Sequence, residues 1–388
     1  MPPILTLLLR NGLNNRIRTL LTVLVIAVAV IAFAVLQTAV RAYYIGVESS
    51  APDRLITRHN VSLMFSLPLA YRDKIAAVDG VRAVAYGNWF GGYYQDPRQF
   101  FAQFAVDDAY LDLFPEFLLR PEEKEAFLSE RKACVVGEKL ARKHGWALGQ
   151  RIVLTGTIFP GEWEFFIRGI YTGRDRTTDT SSMVFRWDYL NEWIKANYNT
   201  QDLVGWYVLK IAEPAAAAHV GKAVDSLFAD STAPTMTETE QAFQMSFVSM
   251  AGAIVVAIEA VSLTVIVIVL LVMANTMMMS ARERVAQYAV MKTVGFRAPH
   301  LAAVVTGEAI ILALAGAALG LAAGYPLVSF FGDVIETYMG AFFPVFELLP
   351  QTALQAAGLC LLCGLLAAVH PLVTAIRTPI ASAIRQVN

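Results

Sequence analysis

The chain has 388 residues, 56% hydrophobic and 16% charged, with a mean hydropathy of +0.51. Soluble domains average about 45–50% apolar and about 25% charged residues, so this composition excludes a disordered chain and argues against a purely soluble enzyme. With 31 Lys and Arg against 32 Asp and Glu there is no overall basic field for nucleic acid, and 3 cysteines cannot build a disulfide framework.

Residues 1–18 carry Arg10, Arg16 and Arg18 into a first uncharged apolar run, Thr19 to Val40. That run outlasts a signal-peptide core of about 7–15 residues, so 19–40 reads as a retained transmembrane helix. Residues 41–250 have soluble composition and are long enough for a domain with its own core. The pattern there predicts a helix over 69–78, strands over 81–86 and 100–106, and a strand over 132–136 running into a helix over 138–144. A hairpin is expected from 151–156 and 164–170 around Pro160-Gly161, then a strand over 206–211 and a helix over 214–228. Aromatic residues crowd one stretch, Trp89, Phe90, Tyr93, Tyr94, Phe100, Phe101 and Phe104, which fits a sheet core or a lipophilic surface. Cys134 stands alone in this domain.

A second span is expected over 251–280, a cytoplasmic segment over 281–300, a third span over 302–331, a short outer loop over 332–351, a fourth span over 352–376 and a tail over 377–388. Each span reaches the roughly 20 apolar residues that cross a hydrocarbon core of about 30 Å. Arg282, Arg284, Lys292 and Arg297 lie between spans two and three, and Arg377 and Arg385 follow span four. The loop between spans three and four has Asp333, Glu336 and Glu347 but no Lys or Arg. The positive-inside rule then puts both termini and 281–300 in the cytoplasm and 41–250 outside. The expected fold is a multi-pass membrane protein: four transmembrane α-helices, with a large α+β domain inserted between helices 1 and 2.

The sequence contains no GxxxxGK[ST], HExxH or GxSxG, and its five histidines are scattered. No catalytic residue, metal ligand or cofactor site is expected on this chain. Cys360 and Cys363 form a CxxC inside the fourth span, where small packing residues are the expectation rather than redox chemistry. Gly316, Gly320 and Gly324 recur every four residues, a small-residue face for close helix contact within the bundle or at a dimer seam. Glu259 should sit at the outer boundary of span two, and Glu308 near the cytoplasmic start of span three, paired with a base around 281–300.

Between spans two and three, Tyr288, Met291 and Gly295 have helical spacing. A short amphipathic helix ending at Gly295 is expected, either flat on the membrane or docked in a groove of a cytoplasmic partner. In the docked reading Tyr288 and Met291, three apart, are the outward anchors.

Four segments resemble permeases of the MacB/FtsX superfamily, the mechanotransmission type of ABC transporter. Leu9-Arg10-Asn11 through Thr22 resembles the lead into the first span, and Glu283-Arg284 through Met291-Lys292-Thr293-Val294-Gly295 the coupling helix. Glu308-Ala309 with Gly316, Gly320 and Gly324 resembles the third span, and Pro371, Arg377, Thr378-Pro379-Ile380 and Ala383-Ile384-Arg385 the C-terminal signature. Val135 to Ala141, Leu148 to Ile152 and Phe166 to Ile170 resemble the family's periplasmic core domain. The chain departs from the family at Gln287, where an acidic residue is usual, and at Ala286, often basic.

The resemblance implies a non-catalytic permease subunit in a bacterial inner membrane. It couples ATP hydrolysis by a separate ATPase subunit, which holds ATP and Mg, to motion of the outer domain. Arg282, Glu283, Arg284, Gln287, Tyr288, Met291, Lys292, Val294 and Gly295 would form the coupling site. A second permease subunit, membrane lipids and, in some members, a periplasmic membrane-fusion adaptor are the implied partners. Export or extraction of a lipophilic, peptide or lipid substrate is the implied work. The alternative is an FtsX-like regulator or antimicrobial-peptide sensor that transmits force or signal without transport.

Overall fold

The computed structural model describes residues 16–48, 50–99, 101–175, 177–198, 202–250, 252–339 and 346–377. Arg10, Phe100, the 378–380 segment and Arg385 therefore lie outside the described residues. The chain divides into two compact units: one takes the segments up to Arg41, Ala253–Phe331 and from Glu347 onward, the other Ala42–Gly252 with Gly332–Phe346.

In chain order the helices are α1 (Arg16–Glu48), α2 (Tyr71–Ala76), α3 (Tyr110–Leu113), α4 (Pro121–Ser129), α5 (Glu138–His144), α6 (Trp187–Tyr198), α7 (Ala217–Phe228), α8 (Glu240–Met250), α9 (Gly252–Glu283), α10 (Val285–Thr293), α11 (Ala298–Met339) and α12 (Pro350–Arg377). The strands are β1 (Arg54–His59), β2 (Leu67–Pro68), β3 (Val81–Trp89), β4 (Gly92–Tyr93), β5 (Gln103–Val106), β6 (Phe117–Leu118), β7 (Ala133–Gly137), β8 (Arg151–Gly156), β9 (Gly161–Gly173), β10 (Met183–Arg186), β11 (Leu203–Val204), β12 (Trp206–Ile211) and β13 (Thr235–Thr239).

In the first unit, α1, α9, α11 and α12 are long and apolar enough to cross a membrane. A helix is the form such segments must take, because hydrocarbon offers no partner for an open backbone N–H or C=O. They are longer than 19–40, 251–280, 302–331 and 352–376, since helical hydrogen bonding continues past the apolar run. Ile26, Val30 and Phe33 of α1 share a buried cluster with Val269 and Met273 of α9, Ala313 and Ala317 of α11, and Cys360 and Cys363 of α12. The CxxC is thus bundle packing, with both thiols free.

Close approach of α1 to α11 depends on two glycines. A Cβ on Gly316 would lie 2.5 Å from Ile26 Cγ2, and one on Gly320 would lie 2.7 Å from Val30 Cβ and 2.8 Å from the Ala27 carbonyl oxygen. At Gly324 the nearest atom, Ile31 Cγ1, is 3.8 Å away, an ordinary contact. Gly316 and Gly320 therefore seat α1 within the same chain, while Gly324 is not sterically required.

In the second unit the main sheet runs β13-β1-β12-β3-β5-β10-β7-β9-β8-β4, with β6 paired to β9 off this path. β5/β10 and β7/β9 are parallel and the other pairs antiparallel. Side chains alternate between two faces, as the strand period dictates. Leu55, Val84, Cys134, Val136, Phe185 and Tyr207 enter one core with residues of α2, α5, α6 and α7. Ile56, Ala85, Val135, Val184 and Val208 enter a second core with Tyr110, Leu113 and Phe127 of α3 and α4. Helices on both faces explain why β7 and β10 are buried at every position.

The aromatic stretch is mostly core. Phe90 and Phe101 are buried, and Trp89 packs edge-on to Phe104 at 5.3 Å. His144 stacks on Trp146 at 4.7 Å, with Tyr94 and Phe101 around them. The predicted strand over 100–106 begins only at Gln103 and the predicted helix over 69–78 shortens to α2.

β1, the first strand of this unit, pairs antiparallel with β13, the last. Buried Arg54 ties the two ends: Nε donates to Glu240 Oε2 at 2.9 Å, Nη2 to Glu116 at 2.5 Å, and Nη1 to the Leu113 carbonyl at 2.8 Å. The Ala51 N–H donates to Glu240 as well, at 2.8 Å. Removing one partner of such a buried pair costs about 3–5 kcal/mol, because the other charge stays behind unpaired.

Two predictions follow from this packing. Gly320→Leu should sharply reduce the yield of folded protein in detergent, whereas Ala318→Leu, at an exposed position of the same helix, should not; equal yields would remove the steric requirement. Burial, then Lys143, lowers the His144 pKa to about 4, from 6.5. The unfolded chain thus binds this proton more tightly, and His144 contributes stability above about pH 6.5 that is lost as pH falls toward 4. Replacing it by Phe should flatten that acid limb by about 1–2 kcal/mol, allowing for solvent on the half-buried ring. Denaturant titrations between pH 7.5 and 4, of the order of ordinary buffers, would read the slope.

Candidate functional site

α9 ends at Glu283, and Arg284 leaves helical geometry with φ −107° and ψ 9°. α10 then runs to Thr293 and stops in a Schellman motif: Gly295 takes φ +99°, its N–H donates to the Lys292 carbonyl, and the Phe296 N–H donates to the Met291 carbonyl. Only glycine enters that left-handed position without strain, so Gly295 sets where α10 ends.

Side chains tie this junction to all four long helices. Arg284 Nη1 donates to Glu308 Oε2 of α11 at 2.8 Å, and Ser280 Oγ donates to Glu308 Oε1 at 3.0 Å. The side chains of Arg284 and Glu308 are 9% and 12% exposed, so the charges are almost wholly withdrawn from solvent. Arg18 of α1 grips Glu283 with two hydrogen bonds, 2.9 and 2.7 Å. Lys292 Nζ donates to the Ile376 carbonyl of α12 at 3.0 Å.

The two faces of α10 differ. Tyr288 is 5% exposed and packs with Met277, Ala281, Leu301, Val305 and Ala309, with Met291 partly buried against the same cluster. Burial, with Glu308 nearby, raises the Tyr288 phenol to about 12, so it is neutral. The expectation of Tyr288 and Met291 as outward anchors is thereby corrected. Helical spacing identified their shared face, but that face is covered by the chain's own helices. The opposite face carries Gln287, Val290 and Val294 at i, i+3 and i+7; the two valines are 58% and 73% exposed. Val290 was not among the expected site residues, although its spacing from Gln287 and Val294 marks it. Arg282 and Gly295 are exposed as well.

Of the remaining expected residues, Glu308 belongs to this cluster, Gly316 and Gly320 lie along α11 against α1, and Glu259 is exposed on α9. Among the described residues no group of three or more His, Cys, Asp or Glu side chains converges as a metal site.

Residues 19–227 match the family model described as MacB-like periplasmic core domain, and residues 259–380 match that described as FtsX-like permease C-terminal. Three solved structures are similar at low TM-scores. The periplasmic region of MacB from Actinobacillus actinomycetemcomitans has 8% identity and a TM-score of 0.37, covering 52% of this chain and 95% of that one. The extracellular domain of the noncanonic ABC-type transporter YknZ from Gram-positive bacteria has 15% identity and 0.35, covering 48% and 100%. A domain of a permease protein from Porphyromonas gingivalis has 14% identity and 0.36, covering 49% and 93%. No curated protein matches the sequence. The two family models together span the α/β unit and the helical bundle, and the chain belongs to the MacB/FtsX superfamily of permeases.

Proposed function

We propose that this chain is the membrane subunit of an ABC system in a bacterial plasma membrane, and that α10 is its docking element for an ATPase carried outside this sequence. Both termini and α10 then face the cytoplasm, where Arg16, Arg18, Arg282, Arg284, Lys292 and Arg297 cluster. The α/β unit faces outward.

The observation that carries this reading is the division of α10 into two faces. Its inner face and flanking charges are fastened to α1, α11 and α12, while Gln287, Val290 and Val294 remain uncovered. A small apolar stripe on a rigidly held helix suits a hydrophobic groove on a partner. A push on that stripe is delivered to the bundle through ion pairs rather than absorbed by a loose loop. Nucleotide-driven closure of an ATPase pair would displace α10 in two such chains. α1, which leads into β1, and α9, which follows β13 by way of α8, would carry the motion to the outer unit. Export or extraction of a lipophilic, peptide or lipid substrate from the outer side is the work this fits, with an adaptor protein as a further partner.

The surface assignment makes a specific prediction. A Val290→Ser, Val294→Ser variant should insert and fold normally yet bind its ATPase about 2 kcal/mol more weakly, roughly thirtyfold, as loss of interface anchors does. Co-purification and substrate-stimulated ATP hydrolysis measure this. Unchanged retention of both would refute docking through this face.

A further inference from the structure

α9 is the least covered of the four long helices: 17% of its apolar stretch is buried, against 33%, 44% and 39% for α1, α11 and α12. Its bare surface has a period. Val261, Thr264, Ile268, Leu271, Asn275 and Met278 follow one another at alternating gaps of three and four, all exposed except half-buried Met278. That spacing averages about 3.5 residues, the repeat of a left-handed seam between two helices, whereas a face turned only to lipid needs no such order. The residue types fit as well. β-branched Val261 and Ile268 occupy one set of seam positions and Leu271 the other, the choice that favours two parallel strands. Thr264 donates its hydroxyl to the Ala260 carbonyl at 2.9 Å and needs no outside partner.

Asn275 is the residue that does not suit a lipid-facing surface. It continues the seven-residue repeat of Val261 and Ile268, and it adjoins Thr276, whose hydroxyl meets Thr22 of α1. Its amide is exposed, and among the described residues nothing hydrogen-bonds it. Hydrocarbon offers neither donor nor acceptor, so an Asn there calls for a partner helix. A carboxamide carries both groups and pairs with its own copy across a two-fold axis. The glycine face of α11 cannot be the seam, because Gly316 and Gly320 already seat α1 of the same chain.

We propose that α9 pairs in parallel with α9 of a second copy of this chain, along the stripe from Val261 to Met278, and that the two Asn275 amides hydrogen-bond each other and fix the register. A second copy is the occupant because the stripe is self-complementary: two chains inserted in the same sense bring equal residues face to face. Arg282, the next position on the stripe, is exposed at the α10 end, where both guanidinium groups reach water. The seam goes beyond ATPase docking and stands whether or not α10 binds one.

The test expresses the full-length chain without an ATPase and places single cysteines on α9, the native thiols being buried. Oxidation in the membranes of the expressing cells should give covalent dimers at 261, 268 and 271. Positions 256 and 263, exposed on another side of the helix, should give no more than the parent chain. Asn275→Leu should raise the dissociation constant of the pair in lipid bilayers about fivefold, as loss of one interhelical hydrogen bond does. Asn275→Gln, which keeps the amide, should restore most of that loss, and thermal unfolding of both variants should match the parent. Weaker pairing of Asn275→Leu accompanied by an equal loss of thermal stability in Asn275→Gln would mean a folding defect and overturn the assignment. Dimers of equal yield at all five positions, or only at 256 and 263, would overturn the seam, as would an unchanged dissociation constant for Asn275→Leu. No dimer at any position would leave α9 facing lipid and overturn it too. With no ATPase present, none of these results bears on the docking of α10.

Discussion

A guanidinium and a carboxylate withdrawn from solvent, Arg284 and Glu308, hold the whole junction between α9, α10 and α11 in place. Ser280 satisfies the second carboxylate oxygen. Such a pair is not a large net source of stability, since desolvation offsets most of the attraction. What it supplies is position: breaking it leaves a buried charge, so the arrangement tolerates little displacement. α10 can therefore act as a rigid part of the bundle, and its exposed stripe keeps a fixed direction.

The same logic recurs where the chain passes between its elements. Lipid tails are as apolar as the side chains, so spans associate through close packing and polar ties rather than the hydrophobic effect. Gly316 and Gly320 supply the close packing for α1, and Arg18 with Glu283 supplies a tie between α1 and α9. In the α/β unit Arg54 joins the incoming strand β1 to Glu240 at the start of α8. The chain segments that flank the sheet on either side are thus pinned to each other within each unit.

Much of this was legible in the sequence. Apolar length marked four spans, and the switch from strand to helix at Gly137–Glu138 and the turn at Pro160-Gly161 were visible because local pattern and tertiary structure agree. β1 and β13 were not, since RLITRH and TMTET have no strong alternation and depend on neighbours distant in sequence. α6 was hidden because its aromatic residues suit strand or helix equally. Over 283–295 the spacing located the helix and its Gly295 stop. It could not say which face the chain itself would cover, because Leu301, Val305 and Ala309, which cover Tyr288, lie on another helix.

The central claim is that α10 meets an ATPase through Gln287, Val290 and Val294 while Tyr288 faces inward. The most direct measurement places a photocrosslinking amino acid singly at 287, 288, 290 and 294 in intact cells and identifies the adducts. The account predicts crosslinks to an ATPase from 287, 290 and 294 and only intrachain products from 288. Crosslinks to that partner from 288, or from none of the four positions, would contradict it.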